Sequence, residues 1–147
     1  MNVFSAIACN QYANYKALNK AAKSRGAAII IISMVWVLNI GSLFLIWILT
    51  QKTGASKNDF ETTLRLQQIG ETFGADHIVG RAVVVLIICV LYLFAYAIYG
   101  GNYFIKIVNQ FNALDTAEQI RLRKIANTYT LTSFFFFAAL VLAVALL

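Results

Sequence analysis

Proline is absent from the 147 residues, histidine occurs once and cysteine twice. Without proline there are no proline kinks, so no broken helix of the transporter kind is marked in that way. A single histidine, His77, excludes a bis-histidine haem site and any histidine-built zinc or copper site within one chain. Cys9 lies in the N-terminal arm and Cys89 deep in an apolar run, so they are expected as two free thiols, not a disulfide framework. A glycine-rich phosphate loop and a credible nucleophile–base pair are missing too. Neither catalysis nor a cofactor or metal is expected.

The scarcity that says most is that of charge. Only 12% of residues are charged, against 61% apolar and 14% aromatic. No Lys, Arg, Asp or Glu occurs between Gly26 and Gln51, between Ala82 and Ile105, or from Ile125 to Leu147. Each run exceeds the roughly 20 helical residues that cross a hydrocarbon core about 30 Å thick. The chain therefore reads as all-α, a polytopic membrane protein with three transmembrane helices, an N-terminal interfacial amphipathic helix and a cytoplasmic helical hairpin. The boundaries expected are an arm over 1–25, a first span over 27–50, and an external segment with a short helix over 51–77. A second span over 78–103, the hairpin over 104–124 and a third span over 125–147 complete the single membrane domain. The first apolar run starts late, is long, and lacks a small-residue cleavage pattern, so it is expected to act as its own signal-anchor. No acid or base lies within a span, which argues against a self-contained proton relay or ion-coupled transport.

The net charge of +6 would point to nucleic acid in a soluble protein. Here topology explains it, and no aromatic-basic surface for nucleic acid is evident. Each of the three polar segments carries four Lys or Arg, so the count alone sets no orientation. Proximity does: Lys23 and Arg25 abut span one, and Arg123 and Lys124 abut span three. The expectation is an integral protein of a bacterial inner membrane, N-terminus cytoplasmic and C-terminus external.

Within the arm, Phe4, Ala8, Tyr12, Tyr15 and Ala22 recur at helical steps with Asn10, Gln11, Asn14 and Lys20 mostly on other faces. Such a helix either lies on the membrane surface or docks on the protein's own second connection. Asn58 with Glu61 looks like a helix start in the external segment, and Asp76 like the N-cap of span two. Gly100 and Gly101 are placed to break the second helix, after which Phe104, Ile107, Val108, Phe111 and Leu114 resume a helical stripe. Asp115 to Glu118 reads as a capping box that opens the third long helix.

The polar residues inside the runs are the candidate site. Asn39, near the middle of span one with Ser42 and Trp36 one turn to either side, must face protein and is expected as interhelical glue. Tyr92, Tyr96, Tyr99 and Tyr103 recur at steps of four, three and four, a stripe of phenols that packs on neighbouring helices or lines a polar path. Thr128 and Thr132 share a face of span three. Arg121, Arg123 and Lys124 gather at its cytoplasmic start, where they would attract anions. These residues are interface or pore candidates. The expected partners are the lipid bilayer and either other membrane subunits or copies of this chain, with no nucleic acid. A non-enzymatic subunit working by helix–helix assembly is the favoured reading; a homo-oligomeric channel or membrane-disrupting effector is the alternative.

Overall fold

The computed structural model of the chain describes residues 1–54 and 78–146, with side chains for 1–50 and 82–146. The helix start at Asn58 and Glu61, the cap at Asp76 and the lone His77 lie outside the described residues. Everything described is helical or turn, with no strand among the described residues. Among the described residues five α-helices follow in order: α1 (Val3–Ala17), α2 (Ser24–Gly54), α3 (Ile78–Tyr99), α4 (Asn102–Asn112) and α5 (Thr116–Leu146). Three stretches of them are long and apolar enough to cross a membrane, Ala21–Thr50, Ala82–Tyr99 and Thr116–Leu146.

Local chemistry sets the corners. Asn2 caps α1, its Oδ1 accepting from the Ser5 amide at 2.8 Å. At the other end Asn19 takes a left-handed φ of 55°, which Asn tolerates better than most residues. The Lys20 amide donates to the Tyr15 carbonyl (2.8 Å) and the Asn19 amide to that of Lys16 (3.0 Å), a complete Schellman closure. After a single 3-10 turn over Ala21–Lys23 the chain reverses into α2, so α1 and α2 run antiparallel. Ala22 thus belongs to the turn and not to the apolar face of α1.

The break between α3 and α4 falls at Gly100 and Gly101, where the Gly100 amide donates to the Tyr96 carbonyl at 2.7 Å. A Cβ on Gly100 would overlap that carbonyl oxygen, so the corner requires glycine. Beyond it, α4 buries Phe104, Ile107, Val108 and Phe111, the stripe legible in the sequence, and leaves Lys106, Asn109 and Asn112 exposed. Asp115 then caps α5, accepting from the Glu118 amide at 2.7 Å. Glu118 does not close the box; its carboxylate pairs with Arg121 at 3.2 Å instead.

Packing distinguishes α1 from a one-sided interfacial helix. Six consecutive residues, Ser5 to Asn10, are buried. At about 100° per residue they cover the full circumference, whereas a helix lying on a surface buries only one stripe. Around α1 stand α2, α4 and α5. Phe4 packs edge-on to Trp36 and to Tyr129, with ring centroids 5.6 and 6.2 Å apart. Small residues at Ser5, Ala6, Ala8 and Cys9 let the neighbouring helices close in, and Ile7 fills the gap between them. Ala28, Ile29, Ile32 and Val35 of α2 complete this core from the other side. The arm is therefore the centre of a four-helix block made by α1, α4 and the first halves of α2 and α5.

Past that block the bundle thins to α2, α3 and α5. Over 18 apolar residues of each helix only 28% in α2, 11% in α3 and 6% in α5 are buried, so most of these side chains are exposed. Where α5 crosses α2, the ring of Phe137 covers Gly41, and a Cβ there would meet it at 2.7 Å.

Candidate functional site

Two sets of polar side chains stand in this apolar frame. The deeper one joins α2 to α5: Asn39 Nδ2 donates to Tyr129 Oη at 2.9 Å. Trp36, one turn back on α2, meets Phe94 of α3 at 5.7 Å between centroids, so this level ties all three long helices together. Asn39, the mid-span amide, is thus satisfied inside its own chain. Ser42 is buried nearby, and its Oγ has no hydrogen-bond partner among the described residues. Ser33 behaves differently, donating to the Ile29 carbonyl of its own helix at 2.7 Å.

The second set fastens α1 to α5 at the charged end. Asn10 is 3% exposed and uses both ends of its amide. Its Nδ2 donates to Asn127 Oδ1 at 2.7 Å, while its Oδ1 accepts from Arg123 Nε at 3.3 Å. Arg123 Nη2 also donates to Asn14 Oδ1 at 2.8 Å. Arg123 is therefore a clamp between helices, held by two neutral amides. Lys124 lies beside it, exposed, and Arg121 points elsewhere to its ion pair with Glu118. Thr128 and Thr132 are both exposed on the open face of α5, while Thr130, between them, bonds back to the Ala126 carbonyl at 2.9 Å.

The tyrosine stripe divides. Tyr99 is buried against α1, where it meets the Ser5 hydroxyl, and its ring lies 5.7 Å from that of Tyr103. Tyr92, at the groove between α2 and α3, and Tyr96 are 40% and 52% exposed. Cys9 is fully buried and burial pushes its thiol up to about 12, so it packs as a small apolar group with its sulfur 4.0 Å from the Ile107 carbonyl. Cys89 is exposed on α3. Among the described residues no group of His, Cys, Asp and Glu is gathered closely enough to hold a metal ion.

The structure thus brings Asn39 to Tyr129, Arg123 to Asn10 and Asn14, Asn10 to Asn127, and Tyr99 to Ser5. It leaves Tyr92, Tyr96, Thr128, Thr132 and Lys124 exposed. Asn10, Asn14 and Tyr129 were not among the candidates. The first two carried a signal, since Asn10/Asn14 and Arg123/Asn127 are both pairs at a spacing of four that can meet face to face. Tyr129 carried none beyond its position in a polar stretch. No family model, curated protein or solved structure matches the chain.

Proposed function

We propose that this chain is a non-enzymatic small integral membrane subunit that acts by helix–helix assembly within a larger membrane complex. The observation that carries the reading is the pair of exposed phenols on α3. Tyr92 stands eleven residues beyond Arg81 and fourteen before Lys106, near the middle of an uncharged stretch. It is 40% exposed and makes no hydrogen bond to another described residue. A phenol, unlike threonine, cannot bond back to its own helix, and an unpaired hydroxyl in hydrocarbon costs a few kcal/mol. A neighbouring helix with an acceptor opposite Tyr92 and Tyr96 removes that cost.

The folded charge distribution supports an orientation with the block in the cytoplasm of a bacterial inner membrane. Lys16, Lys20, Lys23, Arg25, Lys106, Arg121, Arg123 and Lys124 all belong to the end that holds the block, whereas Lys52, Lys57, Arg65 and Arg81 fall between Thr50 and Ala82 in the sequence. Eight basic residues against four is the bias of a cytoplasmic side, and it supports a C-terminus outside.

Extraction from the native membrane in mild detergent, followed by native mass spectrometry, tests the reading. Fixed partner chains are expected, and Tyr92→Phe with Tyr96→Phe should release them while the chain itself stays folded. A lone chain, or a complex indifferent to both changes, would overturn it. The second reading, a homo-oligomeric channel or membrane-disrupting effector, draws on the open Thr128, Thr132 and Lys124 face of α5. It is weakened because Asn39 and Arg123 are engaged inside the chain. Conductance of the purified protein in planar bilayers, lost on Thr128→Val with Thr132→Val, would favour it.

A further inference from the structure

We propose that Arg123 and Lys124, with Asn127 and Thr128 beside them, bind the phosphate group of an anionic phospholipid. The inference rests on α5 crossing a membrane and is independent of the subunit reading. Its first support is an uncompensated charge. Arg123 is fixed in direction by the neutral oxygens of Asn10 and Asn14, which orient the guanidinium without cancelling its charge. The described acids are Asp115 and Glu118; Asp115 caps α5 and Glu118 pairs with Arg121. Neither faces Arg123 or Lys124 in an ion pair. The fork that remains on a pre-oriented guanidinium suits a phosphate, which accepts two parallel N–H donors.

The second support is shape and level. Ile120, Arg123, Lys124, Asn127, Thr128 and Leu131 line one open depression of about 330 Å³ on the outer side of α5. Arg123 and Lys124 are the last charges on this helix before the uncharged run to its end. In a spanning helix that is the level of the headgroups, where basic side chains meet lipid phosphates. Going along the helix from Thr128, the surface continues as exposed Leu131, Phe134 and Phe135. An acyl chain attached to the bound phosphate would lie on that apolar strip, which a free phosphate could not use. This is what selects a lipid as the ligand.

The test is native mass spectrometry of the full, delipidated chain titrated with phosphatidylglycerol or with phosphatidylcholine of the same acyl chains. The native chain is expected to retain phosphatidylglycerol preferentially. Lys124→Gln should cut that preference about fivefold, the factor for one basic residue near an anionic surface, and Lys23→Gln, which removes the same charge from the α1–α2 turn, should leave it unchanged. Arg123→Gln should reduce it further; because Arg123 also clamps α1, the Lys124 variant decides. No preference, equal losses in the Lys23 and Lys124 variants, or displacement of the lipid by an equal concentration of inorganic phosphate would each overturn the proposal.

Discussion

At the charged end of the bundle four helices enclose one another, and Ser5 to Asn10 of α1 are buried on every side. At the other end only α2, α3 and α5 remain, and the exposed residues include Leu43, Leu86 and Leu93 at 68%, 63% and 63%. Both ends are built mainly of apolar residues, so hydrophobicity does not separate them. Enclosure does. The closed end has a fourth helix with small side chains, which lets neighbours approach, and polar groups that pair across helices. The open end has large branched and aromatic side chains that face outward. In lipid such a surface has no drive to bury itself, and association there depends on packing and hydrogen bonds.

The sharpest way to break this comparison is a matched pair of truncations. Ile7→Ala, in the closed block, should lower stability by about 2–5 kcal/mol, the range for a fully buried aliphatic side chain. Leu93→Ala, on the open face of α3, should leave stability nearly unchanged. Equilibrium unfolding in mixed detergent micelles measures both; equal effects would mean that the two ends are packed alike. Next in size is Asn10→Leu, which leaves Asn127 without its donor and Arg123 without one acceptor. Its expected cost is about 1–3 kcal/mol by the same measurement, with Leu retaining the side chain's bulk.

A smaller loss is expected at the middle level. Asn39→Leu and Tyr129→Phe each remove one hydrogen bond worth about 0.6–2 kcal/mol, and the double variant should cost little more than either alone. Additive losses would show that the two side chains do not act as a pair. Last comes an effect confined to alkaline pH, a pH dependence of the closed block. The Cys9 thiol is neutral in the fold and is raised from 9.0 to about 12, so the folded state holds its proton longer than the unfolded state. The sign follows: this contribution is fully present below pH 9 and is lost as pH rises from about 9 toward 12. Cys9→Ala should flatten that part of a stability–pH curve, and a curve identical in both proteins would remove Cys9 as its source.

Much of the architecture was legible in the sequence because charge is so unevenly distributed. Three long uncharged runs, the α4 stripe and the Asp115 cap each depend on spacing along one chain segment. Gly100 announced the α3–α4 corner, although the reason, the Tyr96 carbonyl, appears only in the fold. The arm was harder. Its amides and tyrosines fit a surface helix as well as a buried one, since burial on all sides depends on what surrounds a helix and not on its own periodicity. The tyrosine stripe shows the same limit. Spacing placed four phenols along one helix, yet α1 covers only Tyr99 and leaves Tyr92 and Tyr96 exposed farther along α3.

What the sequence determined by itself was that three helices must satisfy their backbones internally and present apolar side chains, because uncharged runs of that length allow little else. Which polar groups find partners was decided by tertiary structure. Asn39 meets Tyr129 across 90 residues, and Asn10 meets Asn127 across 117. A hydrogen bond needs two groups within about 3 Å; the packing of α5 on α2 brings the first pair to that distance, and the antiparallel return of α1 brings the second.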